Sequence, residues 1–242
     1  MEINTVFQVG LIKFKLIACP INIYSHLKEY KILNCRNNID FEISFKNETR
    51  NIPFHAFQYI LRDKIQAYFA ENKNGFIIHS SAIEINGKAH IFLGDNDAGK
   101  STISEYLGEK YKKIADDVGV IFFDKSMFKY SSAPFLQKNR ITVCKKSISI
   151  ASVNFLFQGK KFSRKIIDTI EAIQYASKQL FTNKAEKNIQ IRLLVLFISQ
   201  MQKKYNLVFA LNIKETIDKF TSSYVLKRPQ RSMYDVGQKD VS

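Results

Sequence analysis

Apolar and polar positions alternate at Phe41, Ile43 and Phe45 against Glu42 and Ser44, and residues 11–17 carry the apolar, β-branched content of another strand. Pro53 then opens a stretch in which Phe57, Ile60, Leu61, Ile65, Tyr68 and Phe69 recur three and four residues apart. That is the period of a helix with one buried face, and it ends in the turn-rich residues 72–75. Residues 76–85 read as one strand, Asn86-Gly87 as a two-residue hairpin turn, and residues 88–93 as the return strand. Ile103, Tyr106 and Leu107 predict a helix from Ser101, closed near residues 108–110. A strand at 113–115 is interrupted by Asp116-Asp117 and resumes over 118–123. Farther on, the pattern predicts a loop at 131–135, a strand at 147–157, helices at 166–180 and 189–201, a strand at 205–211 and a short helix at 213–220. From Lys227 the chain turns polar, with Pro229 and Gly237, and reads as a disordered tail.

A chain of 242 residues holds one large domain, or one with a small companion, and can bury a core without metals or disulfides. The expected division is a small strand/helix region over 1–70, a nucleotide-binding domain over 71–226, and the tail over 227–242. The net charge of +15 comes mostly from lysines. These are scattered, with only short pairs such as Lys112-Lys113, Lys145-Lys146 and Lys160-Lys161, whereas a nucleic-acid footprint clusters. Nucleic acid is therefore not the expected partner. Cys19, Cys35 and Cys144 are far apart and lack metal-ligand spacing, which points to a reducing compartment. No run approaches the length of a membrane span, and Met1-Glu2-Ile3-Asn4 does not open a signal peptide, so a cytoplasmic protein is expected.

The strongest chemical signal is Gly94-Asp95-Asn96-Asp97-Ala98-Gly99-Lys100-Ser101-Thr102, set between a predicted strand and a predicted helix. A Gly-x-x-x-x-Gly-Lys-Ser/Thr loop in that context cradles the phosphates of a nucleotide such as ATP. Its backbone N–H groups form an anion nest, the helix adds its N-terminal N–H groups, and Lys100 supplies a point charge. Ser101 is the expected magnesium ligand. Asp95 and Asp97 either face solvent or touch magnesium or a second substrate.

Asp116 and Asp117 follow Lys100 after a single short helix, enough chain to return beside the phosphates. Such a pair fits one carboxylate serving magnesium, with Asp116 the candidate, and the other accepting a proton from a hydroxyl acceptor, while the sequence leaves open which of the two takes which role. His79 ends a strand expected to pair with the one feeding the phosphate loop. Arg140, Lys145 and Arg164 are candidate contacts for an anionic group on the acceptor.

Taken together, His79, the Asn86-Gly87-Lys88 turn, the phosphate loop with Gly99-Lys100-Ser101, and Ala115-Asp116-Asp117 resemble the HPr kinase/phosphorylase family over about residues 75–125. That family shares its core with the phosphoenolpyruvate carboxykinases. The resemblance implies an α/β fold with a mixed central sheet flanked by helices and a small N-terminal β/α region. It also implies an ATP- and Mg2+-dependent kinase, with His79 close to the transferred phosphate and Asp116, Asp117 and Lys100 catalytic. The acceptor would be a protein or peptide Ser/Thr or a small hydroxyl metabolite, and a homo-oligomer is compatible with it. Thr102 stands where the family usually has Glu, and its downstream glycine-containing signature has no counterpart here, so the likeness is to a kinase rather than to a phosphorylase. The alternative of a different class is a nucleotide-binding regulatory protein without phosphoryl transfer.

Overall fold

Strands β1 (Ile3–Val9) and β2 (Ile12–Cys19) pair antiparallel around Gly10-Leu11. Phe7, Val9, Ile12, Phe14 and Leu16 are fully buried while Lys13 and Lys15 stay at the surface, the period-two pattern of a half-covered sheet. The run at 11–17 was legible as a strand; β1 and helix α1 (Ile21–Leu27) were not expected. Strand β3 (Phe41–Ser44) joins β2 in parallel and completes a three-stranded sheet, with Phe41 stacked on Phe14. The computed structural model describes residues 3–33, 38–46, 52–135, 137, 139–144, 146–182, 186–210 and 217–222. Cys35, Lys145 and the tail from Lys227 lie outside them.

Helix α2 (Phe54–Asn72) starts after Pro53, whose extended φ of −70° and missing N–H suit a helix entry. It stops at Lys73 in the left-handed region, φ 50°. Phe57, Leu61 and Ile65 are fully buried, each worth roughly 1.5–3 kcal/mol of transfer free energy. They join the N-terminal sheet to Ile77, Val118, Val120 and Phe122 in one apolar cluster.

Among the described residues the second sheet has ten strands. The run expected as one strand over 76–85 divides at Ser80 into β4 (Gly75–His79) and β5 (Ser81–Ile85). Beyond the Asn86-Gly87 turn, with φ of 52° and 73°, comes β6 (Lys88–Leu93), antiparallel to β5. Helix α3 (Lys100–Gly108) leads to β7 (Lys112–Ala115) and, past Asp116-Asp117, β8 (Val118–Asp124). Strand β9 (Met127–Ser132) replaces the start of the expected loop, because residues 118–124 fold back on it as a hairpin partner. Then follow β10 (Ile148–Gly159), β11 (Ser163–Ile166), α4 (Thr169–Ser177), β12 (Leu180–Phe181), α5 (Lys187–Gln200) and β13 (Lys204–Ala210). The helix expected over 166–180 is thus shorter and flanked by strands. Asp168 sets its start by accepting from the N–H groups of Ile170 and Glu171. Residues 217–222 are helical.

The order β12-β4-β8-β9-β10-β6-β5-β7 is mixed: β6, β10 and β13 run parallel, the other neighbours antiparallel. Helices α4 and α5 cover one face with Phe76, Ile78, Ile91 and Phe155, and α3 with residues 217–222 covers the other with Ile83, Phe92 and Leu207. Among the described residues no helix is long and apolar enough to cross a membrane.

Candidate functional site

Two long antiparallel runs are each broken once, and the breaks lie side by side. β4 pairs with β8 (His79 opposite Val118), β5 pairs with β7 (Ala82 opposite Ala115), and between them sit Ser80 and Asp116-Asp117. The broken ends are tied to each other. Ser80 N donates to Asp117 O (3.0 Å), and Ser81 Oγ donates to Asp116 O (3.2 Å). Because Ala82 also faces Ile91 of β6, only β5 separates Asp116 from the end of the strand entering the glycine-rich loop 94–99. Two strand spacings amount to about 10 Å.

The loop departs from β6 at Gly94 and enters α3 at Lys100. A Cβ on Gly94 would stand 3.0 Å from the Ala98 Cβ and 3.1 Å from the Leu156 carbonyl oxygen, so the backbone passes too close for a side chain. Gly99 is needed for another reason, its φ of 95°. Lys100 is buried, and its Nζ donates to the carbonyls of Gly94 (2.7 Å) and Asp95 (3.0 Å). The lysine therefore lies along the inside of the loop it would share with phosphate. Asn96, Asp97, Gly99, Lys100, Ser101 and Thr102 line a polar hollow of about 480 Å³ at the start of α3. On the other side, Gly94–Ala98 meet Phe155, Phe157, Tyr175 and Gln179 around a cleft of about 320 Å³. Asp95 and Asp97 are exposed at the rim, and the Asp97 carbonyl accepts from Gln158 Nε2 at 2.7 Å.

Asp116 and Asp117 diverge sharply in surroundings. The Asp116 side chain is fully buried; its Oδ1 pairs with Lys113 Nζ at 3.2 Å and accepts from Ser104 Oγ at 3.2 Å. Its Oδ2 is buried with no hydrogen-bond partner among the described residues. Ser101 lies one turn before Ser104 on α3, with its Oγ 3.5 Å from the Asp116 carbonyl oxygen. Asp117 is partly exposed, and its Oδ1 is 3.0 Å from His79 Nε2. Gln137 fixes the backbone between them: its Oε1 accepts from the N–H groups of Asp116 (2.9 Å) and Asp117 (3.0 Å), and its Nε2 donates to Val118 O (3.2 Å).

The strand of His79 does not pair with β6, the strand feeding the loop at 94–99, as the hairpin pattern had implied. Ser80 ends β4, and only β5 reaches β6, so His79 arrives at Asp117 through β8 instead. The His79 N–H is bound to the Gln179 carbonyl (2.7 Å), which links this corner to the wall of the smaller cleft. Arg164 lies 3.7 Å over the Tyr205 ring, and Arg140 is exposed in the segment after β9. Ser104, Lys113 and Gln137 escaped the sequence reading. Ser104 and Lys113 stand three positions from Ser101 and Asp116, a spacing that could have drawn notice, whereas Gln137 has no local signal.

No family model matches the chain, and no curated protein matches it. Among solved structures, the Hpr(Ser) kinase/phosphatase from Coxiella burnetii is similar over 61% of this chain and 96% of its own, at 12% identity and a TM-score of 0.33. That is a distant likeness at the level of the fold, and the chemistry rests on the residues themselves.

Proposed function

We propose that the chain is an ATP-dependent kinase that transfers a phosphoryl group to a hydroxyl. The observation that carries the reading is the split ribbon: it sets the partly exposed Asp117, bonded to His79, and the buried Asp116 one strand away from a phosphate-loop sequence. A protein that only held a nucleotide would need the loop but no solvent-facing carboxylate oriented by a histidine.

In this reading the hollow at the start of α3 takes the phosphates, and Lys100 exchanges its two carbonyl partners for their outer oxygens. The acceptor sits against the open side of Asp117, beside the cleft between the loop, Phe157, Tyr175 and Gln179, whose Gln179 carbonyl accepts from the His79 backbone N–H. Asp117 receives the proton of the acceptor hydroxyl as its oxygen bonds to the γ-phosphorus. The bond from that phosphorus to the β,γ-bridging oxygen breaks, and the electron pair leaves on ADP. His79, 3.0 Å from Asp117, keeps the carboxylate turned to the acceptor.

Ser101 and Asp116 fit a magnesium ion: both offer hard oxygen, and Asp116 Oδ2 is a buried carboxylate oxygen with no hydrogen-bond partner among the described residues. Bound there, the ion would neutralise charge on the β- and γ-phosphates. Magnesium keeps several waters and phosphate oxygens, so a site of few protein ligands suits it. Among the described residues no three of His, Cys, Asp and Glu gather into a fuller metal cage.

Purified protein incubated with γ-labelled ATP, Mg2+ and an extract of the source cells tests the proposal. Label appearing on a protein or small-molecule fraction supports it. Tight nucleotide binding with no labelled product would leave the regulatory reading standing in its place.

A further inference from the structure

The parallel strands β6 and β10 carry the phosphate loop at one end and a second cleft at the other. This cleft, of about 490 Å³, is lined by Asn86, Lys88 and His90 on the hairpin, Ile150 and Ala151 on β10, and the segment Gln200–Lys203 between α5 and β13. Among the described residues no acidic side chain lines it. Lys88 and Lys203 are exposed at its mouth, and three side-chain amides, from Asn86, Gln200 and Gln202, surround them.

His90 is 2% exposed, so its place in the lining is as a buried wall rather than a surface group. Asn154 Nδ2 donates to Ser152 Oγ (3.0 Å), and Ser152 Oγ lies 2.9 Å from His90 Nδ1. Which of Ser152 Oγ and His90 Nδ1 donates depends on the imidazole tautomer. Burial lowers the His90 pKa to about 4, and the charges of Arg164, Lys203 and Lys88 push it the same way. The charges of Arg164, Lys203 and Lys88 all reach His90, and none of the described residues lining the cleft is acidic.

We propose that this cleft binds a small anionic metabolite through its phosphate or carboxylate oxygens, with Lys88 and Lys203 as charge partners and the amides as donors. Cations with amide donors recognise oxyanions in general, so a phosphate ester and a polycarboxylate present the same chemistry to the cleft. Lys88 and Leu93 are five residues apart along β6, about 17 Å at strand rise. The ligand is therefore separate from the phosphate in transfer, and the site stands whether or not the chain is a kinase.

The test follows the His90 ring resonances of the full chain by NMR, titrating inorganic phosphate in one arm and citrate in the other, at ionic strength held constant with chloride. A saturable shift in either arm is expected, weakened at least tenfold in Lys88→Gln/Lys203→Gln, whose exposed substitutions leave the core intact. The same shift should persist in Lys100→Ala, which separates it from binding at the phosphate loop. Saturation by phosphate alone identifies a phosphate ester, and by citrate alone a carboxylate. A linear response in both arms, or equal affinity in the double variant, overturns the proposal, as does loss of the response in Lys100→Ala.

Discussion

Replacing Lys113 with methionine tests how Asp116 is held. Lys113 is 9% exposed and its partner's side chain is fully buried, so the pair at 3.2 Å sits away from bulk water. Removing the lysine leaves a carboxylate with Ser104 on one oxygen and no hydrogen-bond partner among the described residues on the other. Breaking a buried pair from one side costs about 3–5 kcal/mol, against roughly 0–1 kcal/mol for an exposed pair. Unfolding entropy near 2.1 cal/mol/K per residue gives about 0.5 kcal/mol/K for 242 residues, so Tm should fall by roughly 6–10 °C. Urea unfolding and thermal melts read the change directly. Adding Asp116→Asn to Lys113→Met removes the stranded charge and should recover at least half the loss, a coupling that a double-mutant cycle isolates. A loss below about 1 kcal/mol for Lys113→Met, or no recovery in the double variant, would show that water reaches the pair and refute the burial argument.

Gln137→Ala strands the N–H groups of Asp116 and Asp117, an expected cost of about 1–3 kcal/mol in urea unfolding, and should lower phosphoryl transfer without changing nucleotide affinity. Folding holds His90 neutral, at a pKa of about 4 against 6.5 for the free side chain. The unfolded chain therefore takes up a proton first as pH falls, and stability present above pH 6.5 is lost down to pH 4, by up to about 3 kcal/mol. His90→Gln should flatten that part of the pH–stability curve. Burial pushes the Cys144 thiol up to about 11, so Cys144, followed by peptide mapping, should react slowly with iodoacetamide at pH 7.5 in the native chain and quickly once unfolded in urea.

The strand–loop–helix course of residues 88–108 and the Asn86-Gly87 hairpin were legible because their causes are local: glycines at fixed offsets, positive φ at the turn, a strand before and a helix after. The long helix after Pro53 was legible from period alone. The break at Ser80 was not: the polar His79-Ser80-Ser81 sits where a continuous strand could equally carry it, and what ends β4 is a bond to Asp117 far along the chain. For the same reason the sequence could put Asp116 and Asp117 together but could not separate them. One is buried on Lys113 and the other faces His79, and both partners are set by the sheet. Gln137 is the limiting case: a side chain that caps backbone N–H groups twenty residues upstream leaves no periodic trace.

The most direct measurement pairs MgATP affinity with single-turnover transfer of γ-label to the acceptor fraction, in the natural chain and in Asp117→Asn. The asparagine keeps the shape and removes the base, so affinity should stay within about twofold while transfer falls by roughly 10²–10⁴. Transfer at the natural rate in Asp117→Asn would contradict the role given to Asp117 and with it the kinase reading.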